Sequence, residues 1–327
     1  TNANILANID FKNLNDPSYE VKGSLSGIDL ASLLNIESLN SNLNLTIDAS
    51  GQGFNPDSMD LFLVTDIQNS NIFDFDIDST RLIVDIRRND NGKKIINVIS
   101  DIADLTISGD YQITSLGKVF AREGEIIRAA MSEKLNPVFS PDLSDSLNQQ
   151  NLAEEEYIPV KDFSLEYLLD FKDAMKINLG KDQIALDGQI DGKMKSLNDS
   201  LTVNLNSNFD YLKYWNEKDV YFIVNSKLTC DLSNHLADGY TGNLAAVINF
   251  NADRIYAGGN IYNVTSAISL ENDDLKFSME AQYEENIQTS LNASAVFAGE
   301  RLDVIVDKFN LVYNELKIHN KKNLLLA

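Results

Sequence analysis

The sequence predicts a mostly β protein, built on one long, curled and mainly antiparallel sheet that forms an open groove. Three observations predict it. Apolar and polar residues alternate one by one in short blocks, which places one set on a dry face and the other in water. Asn-Gly, Asp-Gly and Gly-Gly pairs separate the blocks, as in tight hairpins. The connections are too short for crossover helices, so neighbouring strands run antiparallel.

The blocks follow in order. Leu43, Leu45 and Ile47 alternate with Asn44, Thr46 and Asp48, and Phe73, Phe75 and Ile77 alternate with Asp74, Asp76 and Asp78. Leu201, Val203, Leu205 and Phe209 oppose Thr202, Asn204, Asn206 and Asn208; Ile248 and Phe250 oppose Asn249 and Asn251. Leu275, Phe277, Met279 and Tyr283 oppose Lys276, Ser278, Glu280 and Gln282, and Leu302, Val304 and Val306 oppose Arg301, Asp303 and Asp307. Asn91-Gly92, Asp187-Gly188, Asp191-Gly192, Asp238-Gly239 and Gly258-Gly259 are the expected turns. The blocks recur as a loose repeat without a fixed period.

Two stretches carry helical spacing. Ile28 to Leu34 sets Asp29 ahead of a short apolar run, which fits one or two helical turns. From Thr114 to Asn136, Leu116, Val119, Phe120, Ile127, Ala130, Met131 and Leu135 recur at steps of three and four, an amphipathic helix weakened at Gly124. A polar stretch after Pro137, ending in Glu154-Glu155-Glu156, reads as a linker. The expected organisation is therefore an N-terminal part of the sheet over 1–113, helix and linker over 114–160, and a C-terminal part over 161–327.

Composition narrows the function. With 327 residues, 43% hydrophobic, the chain has the apolar content to fold. Its net charge of −22 repels phosphate backbones, and no cluster of Lys and Arg with interleaved aromatics opposes that, so nucleic acid is not an expected partner. The single Cys230 excludes an internal disulfide framework and a multi-cysteine zinc site. No apolar run spans a bilayer, and the opening Thr1-Asn2-Ala3-Asn4 lacks the pattern of a signal peptide, so the chain reads as a soluble piece of something longer.

Candidate chemistry is sparse. His235 and His319 have no Cys or carboxylate at metal-ligand spacing, and a surface histidine explains each. Asp74, Asp76 and Asp78 share a strand face and could gather oxygens for Ca²⁺, but no Gly-containing acidic loop follows; a solvated outer face fits them better. Gly23, Gly27, Gly51 and Gly53 fit turns and bulges and lack the context of a nucleotide loop. The four Asn-X-Ser/Thr triplets are expected by chance in a chain rich in these residues. Tyr211 to Trp215 suits core packing or a short helical cap at the sheet end, with a sugar platform or an interfacial anchor as the functional alternatives. No acid, base and nucleophile converge, so the chain is not read as an enzyme and no cofactor is expected.

A sheet with one dry face must cover it. About fifteen strands at about 4.8 Å each extend roughly 70 Å, which one helix of about 30 Å does not blanket. Twist and curl can fold such a sheet into a trough lined by its own apolar face. An alkyl tail of about 14 methylenes left in water costs on the order of 11 kcal/mol, so a continuous apolar floor suits acyl chains. The residues expected to line it are Leu45, Ile47, Phe73, Phe75, Ile77, Leu82, Val84, Val203, Leu205, Phe277 and Met279. The competing readings are an extracellular structural or adhesive β protein with a self-filled core, and an outer-membrane barrel whose dry face looks outward.

Three stretches also resemble a known family. Tyr19 to Leu34 (YEVKGSLSGIDLASLL), Leu43 to Asn55 with Ala49-Ser50-Gly51-Gln52-Gly53, and Ser100 to Ile113 (SDIADLTISGDYQI) are similar to the repeats of the TamB and AsmA-like group. Asp187 to Ile190 and Leu270 to Tyr283 share the style with weaker motifs. The resemblance implies a β-taco groove in the periplasm, as a segment of an inner-membrane-anchored envelope protein. It further implies phospholipid transport between inner and outer membranes and support of outer-membrane protein assembly. The implied partners are phospholipid acyl chains and an assembly barrel of the TamA or BamA type.

Overall fold

The computed structural model describes residues 2–14, 16–29, 31–32, 41–72, 75–117, 162–179, 182–197, 200–235, 244–271, 274–298 and 301–326. The protein is mostly β, and among the described residues eighteen strands form one antiparallel sheet. In chain order they are β1 (Asn2–Asp10), β2 (Ser18–Ile28), β3 (Ser41–Gln52), β4 (Asp60–Ile72), β5 (Phe75–Arg88), β6 (Lys94–Ser100), β7 (Ala103–Asp110), β8 (Phe163–Leu179) and β9 (Asp182–Leu197). There follow β10 (Ser200–Trp215), β11 (Val220–His235), β12 (Leu244–Ala257), β13 (Asn260–Glu271), β14 (Asp274–Tyr283), β15 (Ile287–Ala298), β16 (Arg301–Tyr313), β17 (Leu316–His319) and β18 (Leu324–Leu326). The chain divides into two units: Thr1–Ile113, Leu165–Asp191 and Asn208–Phe222 form the first, and Thr114–Ser164, Gly192–Ser207 and Ile223–Ala327 the second.

In the first unit β1 to β7 pair in chain order, each antiparallel to the next. On one face Lys22 reaches Asp48 at 3.0 Å, and Arg81 lies 3.9 Å from Asp66; these are exposed pairs that contribute little stability but mark the wet side. At the Asp60 end of β4, Lys94 is 2% exposed and its Nζ donates to the Pro56 carbonyl, while Arg88 Nη2 donates to the Asp57 carbonyl at 2.8 Å. Burial pushes the Lys94 ammonium below its usual range, against the raising effect of Asp57. Two cationic side chains thus hold the β3–β4 connection.

In the second unit β12 to β16 form a chain-order meander, and both β17 and β18 pair with β16. Bulges interrupt it between Tyr262 and Thr265 and between Asn292 and Ala293. Asn263, at the first, has φ +52°, and Asn225 and Asn69 take similar left-handed values inside β11 and β4. Asparagine tolerates this conformation because its short side chain bonds locally.

Several expectations change. Asn91-Gly92 and Gly258-Gly259 are turns, with φ +76° at both Gly92 and Gly258. Asp187-Gly188 and Asp191-Gly192 are not: both pairs lie inside β9. Gly188 serves close approach instead, since a Cβ there would overlap the Asn208 carbonyl and Phe209. Asp238-Gly239 lies outside the described residues. Residues 31–32 are helical within the expected Ile28 to Leu34 turn, where the Ala31 N–H donates to Asp29 Oδ1 at 3.1 Å and the Ser32 hydroxyl to Asp29 Oδ2 at 2.6 Å. These bonds, the Ser32 one foremost, hold the Asp29 carboxyl below its usual pKa. Residues 113–117 are helical, and the rest of the expected Thr114 to Asn136 helix and the expected linker lie outside the described residues.

Candidate functional site: an apolar face in register

Antiparallel pairing sets side chains directly opposite one another on a shared face, so the registers test whether scattered apolar residues meet. In the first unit they do. Ala7, Val21, Ala49, Leu63, Val84, Val98 and Leu105 form an unbroken cross-strand row over seven strands. The adjacent row holds Ile5, Gly23, Ile47, Thr65, Leu82 and Ser100, and the next begins Leu25, Leu45 and Ile67. Thr65 is tolerated there because its hydroxyl donates to the Thr46 carbonyl at 2.7 Å.

The second unit repeats the arrangement. Ile248, Ile268, Phe277, Ala293 and Val306 form one row, and Phe250, Ser266, Met279, Leu291 and Phe309 the next. Val203 and Leu205 alternate along β10 with the exposed Thr202 and Asn204.

Of the eleven residues expected to line a groove, the structure therefore brings Leu45, Ile47, Leu82 and Val84 together in the first unit, and Phe277 and Met279 in the second. All six, with Val203 and Leu205, are half-buried: covered by neighbours along the sheet but not sealed. Phe75 and Ile77 lie on β5 opposite Ile72 and Ser70, with side chains outside the described set, and Phe73 lies outside it altogether. Fully covered apolar side chains lie on the same sides as well: Leu201 shares the side of Val203 and Leu205 on β10, and Ile86 that of Leu82 and Val84 on β5; Leu43 and Leu186 are also covered.

The separation of faces is less clean than the alternation implies. Val64, Ile83 and Ile99 form a second apolar stretch on the face shared with Lys22 and Asp48, and Phe62 on that face is 50% exposed. The runs Leu61 to Val64, Leu82 to Ile86 and Ile95 to Ile99 are apolar at nearly every position and so serve both sides. A depression of about 360 Å³ in the second unit is lined both by polar residues, among them Lys276, Ser278, Asn292 and Asp307, and by Ile268, Phe277 and Ala293 of the apolar row.

Tyr211 to Trp215 form the end of β10, a strand and not a helical cap. Tyr214 donates to Asp182 Oδ1 at 2.8 Å and accepts from Asn216 Nδ2 at 3.0 Å; its ring lies 6.0 Å from Tyr221, and Lys213 Nζ sits 4.8 Å from the Trp215 ring centre. The carboxylate of Asp182 raises the Tyr214 pKa. His319 is exposed on β17, and His235 ends β11 with its side chain outside the described set. Among the described residues no group of His, Cys, Asp and Glu is placed to hold a metal ion. No described helix is long and apolar enough to cross a membrane. Comparison of the chain with known protein families, curated proteins and solved structures finds no match.

Proposed function

We propose that this chain is a segment of a TamB/AsmA-like envelope protein whose apolar face carries phospholipid acyl chains between inner and outer membranes. The supporting observation is that each unit carries apolar rows in register, and that Leu45, Ile47, Leu82, Val84, Val203, Leu205, Phe277 and Met279 are all half-buried. A self-filled core would cover them to the level of Leu201, which is 3% exposed. On this reading the protein works without catalysis: each methylene moved along the face keeps about 0.8 kcal/mol of transfer free energy that water would take away. The periplasm is the compartment, and an outer-membrane assembly barrel is the protein partner that the family resemblance adds.

The test is the lipid content of the purified protein. Organic extraction and mass spectrometry should recover phospholipid from the wild-type chain. Leu205→Asp and Phe277→Asp should lose it, because a carboxylate on the apolar face cannot be covered by an acyl chain, whereas Asn204→Asp on the other face should keep it. Equal lipid in all three variants would overturn the groove.

A further inference from the structure

One row in the second unit is not used by the acyl-chain reading. Ile255, Ile261, Tyr283, Ile287, Tyr313 and Leu316 stand opposite one another, pair by pair, across β12 to β17. On β14 to β17 this is the last row before the hairpin turns, and on β12 and β13 only Tyr256 and Asn260 pair beyond it. Its isoleucines are half-buried, whereas Tyr283, Tyr313 and Leu316 are 45%, 51% and 58% exposed. On β14 and β15 it shares the face of Phe277, Met279 and Leu291, so it is the outermost row of the apolar side.

The turns behind the row are laced together. Glu284 and Asn314 both take left-handed backbone angles, φ +48° and +53°. The Glu284 N–H donates to the Asn260 carbonyl at 2.8 Å, the Asn260 N–H donates to Glu284 Oε1 at 2.6 Å, and the Asn314 N–H donates to the Asn286 carbonyl at 3.1 Å. The exposed rings are therefore held on a fixed rim.

Tyrosine combines an apolar ring with a hydroxyl that prefers water, the combination enriched where protein meets the headgroup region of a bilayer. A second copy of the chain is a poorer occupant. The exposed part of the row amounts to on the order of 300 Å², against the roughly 800 Å² that each partner buries in a stable complex. Two copies, each of charge −22, also repel one another. Anionic lipid is opposed by Glu284, Glu285 and Glu315 in the same turns.

We infer that this rim docks on the headgroup interface of a zwitterionic bilayer, with Tyr283, Tyr313 and Leu316 entering the interface. The inference rests on the acyl-chain reading, for which it names the membrane-facing end, but the two fail separately.

Flotation of the full chain with phosphatidylcholine vesicles tests it. The wild-type chain should float with them, and less with phosphatidylglycerol vesicles. Tyr313→Ser combined with Leu316→Ser should lower partitioning about tenfold or more, with the thermal midpoint little changed because both side chains are exposed. Tyr313→Phe, which keeps the ring, should retain it, and Leu205→Asp should still float even when its co-purified lipid is gone. If the wild-type chain stays unbound, or the double variant floats equally well, the inference fails whether or not lipid co-purifies. A dimer in sedimentation that the double variant abolishes would assign the rim to a second copy and overturn it too.

Discussion

Leu201 and Leu205 stand four residues apart on the same side of β10, yet Leu201 is 3% exposed and Leu205 is only half-buried. One strand thus passes from a sealed environment to an unsealed one. The same truncation at the two positions should read that difference. Leu201→Ala should cost about 2–5 kcal/mol, the range for a buried leucine, and Leu205→Ala about 1 kcal/mol, because much of its surface already meets solvent. Urea unfolding measures both; equal losses would place Leu205 in a filled core.

Gly51 lies beneath Tyr19. A Cβ at Gly51 would overlap both the Tyr19 hydroxyl and the Asp60 carbonyl, the latter backbone and unable to yield. The Tyr19 ring in turn stacks on Phe54 at 5.2 Å between centres. Gly51→Ala should therefore destabilise by about 1–3 kcal/mol through overpacking, measured as a shift in urea midpoint. Gly92→Ala meets open space and should cost only about 1 kcal/mol for its positive φ.

Tyr111 is 6% exposed, and its hydroxyl is buried with no hydrogen-bond partner among the described residues. Burial pushes its pKa up to about 12. The folded state thus keeps a proton that the unfolded chain releases near pH 10, so stability is intact below pH 10 and falls as pH rises toward 12. The full loss is on the order of 2–3 kcal/mol. Tyr111→Phe should be neutral or slightly stabilising at pH 7 and should flatten that alkaline decline in a pH series of urea midpoints. An unchanged decline would assign it to other groups.

Lys94 and Arg88 hold the segment around Pro56 and Asp57. Lys94→Ala removes a buried charged donor and should cost about 1.5–3 kcal/mol. The effect should be local: amide exchange at Ser58 and Met59, which donate to the Asn55 carbonyl at 2.9 and 2.7 Å, should speed up before the sheet does. Uniform acceleration across β4 and β5 would show that the lysine supports the whole unit instead.

Alternation made the strands legible because a period of two is a direct consequence of pleating, and Leu43 to Asp48 and Leu275 to Gln282 are strands as their pattern predicts, although Asn44, Ser278 and Gln282 on the polar positions are half-buried. Asp29 was legible as a cap because its carboxylate has nearby N–H and hydroxyl groups to accept from. Turn pairs were less reliable. Asp187-Gly188 resembles a hairpin dipeptide, but the close passage of Asn208 and Phe209 is a tertiary demand that no local signal carries. The left-handed backbone at Asn69, Asn225 and Asn263 was missed because such an asparagine looks like any polar residue on an outer face. Doubly apolar runs such as Leu82 to Ile86 hid their two-sidedness for the opposite reason, having no alternation to read. The tyrosine rim had a signal in hindsight: Tyr283-Glu284-Glu285-Asn286-Ile287 and Tyr313-Asn314-Glu315-Leu316 each set a tyrosine before a polar turn and an aliphatic residue after it.

Acyl chains that meet the apolar side of each unit can be trapped there by site-resolved photocrosslinking. A photoreactive phenylalanine analogue would be placed singly at Val84, Leu205 and Phe277 on the apolar face, and at Asp85, Asn204 and Lys276 on the other. After irradiation in lipid-containing cells, phospholipid should be covalently attached at the first three positions and absent from the last three. Attachment at both sets alike, or at neither, would contradict the account.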